Sequence, residues 1–303
     1  MTIQYHPGER LAQRLAGLRA EAEMARPAIG TSIPAVAAQF VTEQHLLVLG
    51  AADPDGRLWA SPLVGDPGFV TAPDEYTLDV AAVLAEGDPL RAALAELRQV
   101  GVILIDPSTR RRMRVNGDAV PTPAGLRITV NQVYANCPKY IQQRRIHQIE
   151  PADVSAARVT DALDNGQRRL IATADTFFVA TRSATGAADA SHRGGNPGFV
   201  QVLGDRSLRW PDYVGNAMMM TLGNLQQDPA AGLLFVDWVT GTTLQVSGRA
   251  HVEWDADPGL PGAQRQIRIE VDRVVQLDHA SPLQWTEPVP SRFNPPLPEG
   301  NPN

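Results

Sequence analysis

Residues 60–70, ASPLVGDPGFV, and residues 190–200, ASHRGGNPGFV, are two versions of one sentence: seven of eleven positions are identical at a constant offset of 130. A second block repeats in the same order. GVILIDPSTRRRMRVNGDA (101–119) aligns with GLLFVDWVTGTTLQVSGRA (232–250) at an offset of 131, with six identities and mostly aliphatic exchanges elsewhere. Upstream, LLVLGAADPDGRLWASP (46–62) matches FFVATRSATGAADASH (177–192) in pattern. Blocks that recur in order at nearly one offset point to an internal duplication, the feature to settle before any other.

The local pattern within each copy is that of strands and hairpins. Runs rich in Val, Ile, Leu and Phe are bounded by Gly, Pro and Asp, and Asp53-Pro54-Asp55-Gly56 marks a turn between two of them. Arg114-Val115-Asn116 and Leu244-Gln245-Val246-Ser247 alternate apolar with polar, as half-buried strands do. Helices are expected at the margins: over 8–24, where Leu11, Leu15 and Leu18 keep helical spacing, over Pro89–Leu97, and over Ala217–Leu225. The methionines of that last stretch read as core filling. The expected fold is mainly β with flanking helices (α+β): two tandem barrels of about six strands, packed as a pseudo-dimer. The expected division is a helical extension over 1–34, module 1 over 35–150, module 2 over 165–280 and a proline-rich tail over 281–303 that reads as extended or disordered.

Composition narrows the function classes. The 303 residues carry a net charge of -6 and 43% hydrophobic residues, which argues against a general nucleic-acid binder. The one basic run, Arg110-Arg111-Arg112 with Arg114, reads as a strand end or hairpin tip. A single cysteine, Cys137, excludes an intrachain disulfide and a multi-cysteine metal site; it reads as a small buried residue. The six histidines are scattered without metal-ligand spacing. Neither a signal-type apolar segment nor a bilayer-spanning run of about 20 residues is present. The expectation is a soluble cytoplasmic protein with no membrane partner.

The copies differ most where they match best. Ser191-His192-Arg193-Gly194-Gly195 in the second copy faces Ser61-Pro62-Leu63-Val64-Gly65 in the first. Serine, arginine and glycine-exposed amides suit a phosphate monoester; a surface turn with an incidental arginine fits the same residues.

From these blocks the chain resembles the pyridoxamine 5'-phosphate oxidase-like FMN-binding split barrels, over roughly residues 35–150 and 165–280. The resemblance implies FMN as cofactor, with Ser191 and Arg193 at its phosphate and ribityl chain and His192 and Gly194 along the ring. It places Trp210, Pro211 and Asp212 in the segment lining the flavin, Asn216 at the following helix start, and Thr243 on a later strand that reaches the cofactor. Many members carry an Arg-Lys pair where this chain has Asn216-Ala217. The Asn136-Cys137-Pro138-Lys139-Tyr140 segment of the first copy would cross to the same pocket, with Asn136 and Tyr140 lining it. Lys139 would hold the anionic reduced ring by its fixed charge. The implied function is an FMN-dependent oxidoreductase acting on a small-molecule substrate, with NADH or NADPH as a candidate electron donor and the cofactor between the copies. The alternative is a non-catalytic protein binding a flavin, haem or small metabolite; dimerisation of the tandem chain stays open.

Overall fold

The computed structural model describes residues 3–135, 137–150 and 156–296. The chain enters through α1 (Pro7–Leu15), α2 (Arg19–Ala25) and α3 (Ala35–Thr42). The first copy then lays down β1 (Leu46–Ala52), β2 (Leu58–Val64), β3 (Val70–Asp74), β4 (Thr77–Val80), β5 (Arg98–Asp106), β6 (Arg111–Thr122) and β7 (Gly125–Ala135). Two short strands, β8 (Ile146–Ile149) and β9 (Arg158–Thr160), lead to α4 (Asn165–Thr173). The second copy supplies β10 (Thr176–Arg182), β11 (Ala188–Gly194), β12 (Gln201–Val202), β13 (Ser207–Asp212), α5 (Met220–Leu225), β14 (Ala230–Val236), β15 (Thr243–Glu253) and β16 (Arg265–Leu277), and the chain closes with β17 (Leu283–Trp285).

The duplication is explicit in the topology. The first sheet runs β2-β1-β5-β6-β7-β4-β3 and the second β11-β10-β14-β15-β16-β13-β12, which is the same order strand for strand. Even the irregularities repeat: β6 bulges at Asn116/Gly117 and β15 at Ser247/Gly248. The first sheet thus has seven strands and the second eight, β9 adding to β16, where about six per module were expected. β17 pairs with β8, tying the C-terminal segment back to the linker.

The continuous apolar runs follow from burial on both faces. In β1, Leu47 and Leu49 point into the core of module 1 while Leu46 and Val48 join a third core between the modules. β10 does the same, with Phe177 and Val179 inward and Phe178 and Ala180 at the seam. Strand alternation sends successive side chains to opposite faces, so these strands show no polar face. Close approach explains the glycines. A Cβ on Gly101 would collide with the backbone of Asp189, and one on its counterpart Gly232 with the backbone of Trp59 at 2.6 Å. Gly50 and its equivalent Ala180 touch each other, which puts the pseudo-two-fold axis between them.

The helices depart from expectation in detail. The 8–24 helix is two helices because Gly17 takes φ +70° between them. α1 buries Gly8, Glu9, Ala12 and Gln13, not the leucine stripe; Leu15 is exposed. Pro89–Leu97 holds only a 3-10 turn, Ala93–Ala95. The last helix begins at Met220, after two left-handed residues.

Candidate functional site

β11 is the edge strand of its sheet, and its alternation sorts the key residues. Ser191 and Arg193 lie opposite Val179 and Phe177, on the inner face of module 2; His192 lies opposite Phe178, on the seam. The Ser191 hydroxyl meets Thr221 Oγ1 of α5 at 3.1 Å. Arg193 Nη1 donates to Ser191 Oγ at 3.0 Å and to the His192 carbonyl at 3.1 Å. The His192 ring packs edge-on against Phe178.

Module 1 approaches from the other side. Arg112 of β6 reaches across, with Nη1 2.9 Å from His192 Nδ1 and Nη2 donating to the Cys137 carbonyl at 2.8 Å. Two residues on, Arg114 is buried in an ion pair with Asp189, whose other oxygen accepts from Tyr134 Oη at 2.8 Å. The segment after β7 follows. Gly194 is glycine because any side chain there would strike the Tyr140 carbonyl. Tyr140, at φ +66°, sets its ring 5.1 Å from that of Tyr213 and donates from Oη to the Val214 carbonyl. Gln142 stitches this segment down: its Nε2 donates to the Gly195 carbonyl at 3.1 Å, while its Oε1 accepts from Ser291 N and Asn294 Nδ2. The C-terminal segment is therefore packed along the seam as far as it is described, with Phe293 under the Lys139 ammonium at 5.7 Å.

Between these walls lies a cavity of about 420 Å³, of a size that holds a cofactor or substrate. It gathers Lys139 and Tyr140 from module 1 with Ser191, His192, Arg193, Gly194, Pro211, Asp212 and Asn216 from module 2. Asn216 sits in the loop before α5, four residues short of the helix start, and its Oδ1 accepts from Met218 N. Two expected residues are elsewhere. Trp210 is buried in the module 2 core against Phe177, because its side chain takes the inward position of β13. Thr243 lies at the other seam, beside Pro62 and Val64. Asn136 is outside the described residues.

Sequence reading passed over several lining residues. Arg112 and Arg114 are in the cavity wall; the hairpin tip is Arg110, at φ +58°. The signal was available in the repeat: Arg112 aligns with Thr243 at the offset of 131, and a two-fold seam joins β11 of one copy to β6 of the other. Tyr213 and the Met218–Met220 stretch also line it, as do Leu18 and Glu21 from the N-terminal extension. Cys137 is exposed at the cavity rather than buried.

The electrostatics are lopsided. Arg265 pairs with Asp212 at 3.1 Å and Arg114 with Asp189, but Arg112, Arg193 and Lys139 make no ion pair among the described residues. Arg112 Nε, Arg193 Nε and His192 Nε2 are buried without a hydrogen-bond partner there. Burial, then the neighbouring Arg193 and Arg114, push the Arg112 guanidinium down to about 9. Burial also lowers Arg193, and burial followed by Arg112 and Arg193 drives His192 well below the ordinary imidazole value, so it is neutral at pH 7. Neighbouring cations thus add to burial at Arg112 and His192, while the Asp212 carboxylate offsets part of the effect at Arg193.

The two modules share one strand order, and a family match falls on the second of them, consistent with a split-barrel module in tandem. Residues 163–277, the second module, match the family model described as "Pyridoxamine 5'-phosphate oxidase". No curated protein matches the chain. Among solved structures, HupZ of Group A Streptococcus is 13% identical, with 39% of this chain and 98% of that one covered at a TM-score of 0.33. The FAD binding protein from Mycobacterium smegmatis is 13% identical over 40% and 98%, at 0.27. A Clostridium acetobutylicum protein related to general stress protein 26 is 12% identical over 39% and 89%, also at 0.27. Among the described residues, no cluster of His, Cys, Asp and Glu is arranged to hold a metal, and no helix is long and apolar enough to cross a membrane.

Proposed function

We propose that this cavity binds a flavin, FMN in the first instance, and that the chain is a flavin-dependent oxidoreductase of a small molecule. The observation that carries the reading is the half-buried pair of Arg112 and Arg193, which make no ion pair among the described residues and whose buried Nε atoms lack hydrogen-bond partners there, beside the Ser191 and Thr221 hydroxyls. Such a set fits a phosphate monoester, which accepts several charge-assisted hydrogen bonds at once. The residues fit the cofactor in a second respect: Tyr140, Tyr213 and the methionines offer flat and polarisable surface to a ring system. The match of module 2 to the oxidase family supports flavin as the ligand class.

In this reading Arg193 and Ser191 grip the phosphate. His192, held neutral by burial and then by Arg112 and Arg193, accepts from Arg112 across the seam. Lys139, in the cavity wall, would hold a positive charge toward a bound flavin, where it would favour an anionic reduced state. The flavin, when bound, supplies the electron-transfer chemistry, and the protein supplies position and potential. The Tyr140 and Tyr213 rings lie 5.1 Å apart in the cavity wall.

The test is direct. Purified protein should gain a flavin spectrum on titration with FMN, and NADH or NADPH under anaerobic conditions should bleach it. Arg193→Ala should weaken FMN binding by roughly 10- to 100-fold, the worth of one or two charge-assisted hydrogen bonds. A colourless protein that stays colourless with FMN and FAD sinks the proposal; flavin uptake without reduction by any donor or substrate leaves a binding protein.

A further inference from the structure

The duplication creates two seams, and they have met different fates. The first joins β11 to β6 and contains the cavity described above. The second joins β2 to β15, and every cation of the first is missing from it. Leu63 stands at the position of Arg193, Thr243 at that of Arg112 and Gln245 at that of Arg114. Only the serine is kept, as Ser61. Yet the second seam is no plain apolar joint. Ser61 and Gln245 are both 0% exposed and Thr243 is 1% exposed, so their polar groups need partners inside the protein.

Asp88 provides one. It comes from the stretch before the 3-10 turn at Ala93–Ala95, in the region of module 1 that corresponds to the α5 approach of module 2. Its side chain is buried and its oxygens are surrounded by donors: Ser61 Oγ at 2.8 Å, Leu90 N at 2.9 Å and Gln245 Nε2 at 3.1 Å. No cation pairs with it among the described residues. Burial pushes its carboxyl up to about 6 against the pull of these donors. In the first seam the matching Ser191 hydroxyl meets Thr221 and Arg193, while Arg114, the counterpart of Gln245, pairs with Asp189.

We infer that Asp88 is an internal ligand, its carboxylate filling in the second seam the place that the first seam leaves for the anionic group of a bound molecule. Each module then keeps half of a site. Module 1 retains Arg112, Arg114, Lys139 and Tyr140, module 2 retains Ser191, Arg193 and Asp212, and the discarded halves meet as a self-liganded joint. The chain binds one ligand where a symmetric pair of modules would bind two. The inference rests on the anion-site reading of Ser191 and Arg193, but Asp88 can be tested without any flavin.

Asp88→Ala removes the carboxylate and leaves its donors facing a hole that formate can enter. The full-length variant is expected to melt below the wild type, and formate should raise its Tm in proportion to the logarithm of concentration. Formate should leave the wild-type Tm nearly unchanged, since Asp88 already occupies the place. Equal formate shifts in the two proteins overturn the inference. If the variant is not recovered folded, refolding yield from urea with and without formate is the readout, and an unchanged yield overturns it equally. A separate titration of wild-type protein with FMN should saturate at one per chain. Two per chain overturns the closed second seam while upholding the flavin reading; none overturns the flavin reading and leaves the formate result to decide Asp88.

Discussion

Arg112 shows how one side chain acquires a role from its neighbours across a seam. It leaves a surface-type run of arginines, yet its guanidinium ends 2.9 Å from a buried, neutral His192 and near a second unpaired arginine. Moving a guanidinium out of water without a carboxylate is costly, and the depressed proton affinity records that cost. A bound anion would relieve it. Arg112→Ala should therefore weaken FMN binding by roughly 10-fold or more, comparably to Arg193→Ala, as measured by fluorescence titration. Arg111→Ala, one position along and facing the Phe40 ring, should leave the affinity unchanged. An equal loss in both variants would mean that only overall charge matters.

At the scale of elements, α1 is an instructive case. Its capping box is complete: His6 Nδ1 accepts from Glu9 N at 3.4 Å, while Glu9 Oε2 accepts from His6 N at 2.8 Å. The helix packs so closely on α5 that a Cβ on Gly223 would meet the Glu9 backbone at 2.5 Å. That contact buries the Glu9 carboxyl, and burial raises it from 4.5 to about 7. The folded state thus holds this proton more tightly than the unfolded chain. Stability contributed by the neutral acid is complete below the unfolded value and is lost as pH rises through about 7. The swing is at most about 3 kcal/mol. Glu9→Gln, which keeps an acceptor for His6 N, should flatten the fall in urea-unfolding stability between pH 5 and pH 8. An unchanged slope would show that Glu9 is ionised in the folded protein. α1 also holds the site, since Gln13 Nε2 donates to the Met218 carbonyl beside the cavity.

For the whole molecule, the seam is a core in its own right. Phe178, Ile103 and Leu234 are essentially inaccessible to solvent between the two barrels, and the Arg144–Asp175 pair bridges the modules at 2.6 Å. Phe178→Ala should cost about 3–5 kcal/mol, as large-to-small changes in packed cores do. It should also reduce FMN affinity, because the His192 ring that meets Arg112 rests on Phe178. Equilibrium denaturation should show a single transition for both barrels; two transitions would mean that the modules do not fold as one unit.

The repeated blocks were enough to establish two like modules, because strand patterning and turn glycines are local and survive divergence. The offset from Gly101 to Gly232 and from Ser61 to Ser191 carries directly into equivalent strands. The Ser191–Gly194 segment was legible for the same reason, as a contrast between copies. The other half of the site was not. Arg112 reads as surface charge and Thr243 as a ligand residue until the seam is seen to exchange strands between copies, so that β6 serves β11 and β15 serves β2. Trp210 likewise faces the module 2 core by the phase of β13, which residue type does not reveal. Local chemistry, the repeat and half of an anion site were written in the sequence itself. Which halves meet was decided by packing around the Gly50–Ala180 contact, because side chains some 80 residues apart, such as Arg112 and His192, become neighbours only when two buried faces close on each other.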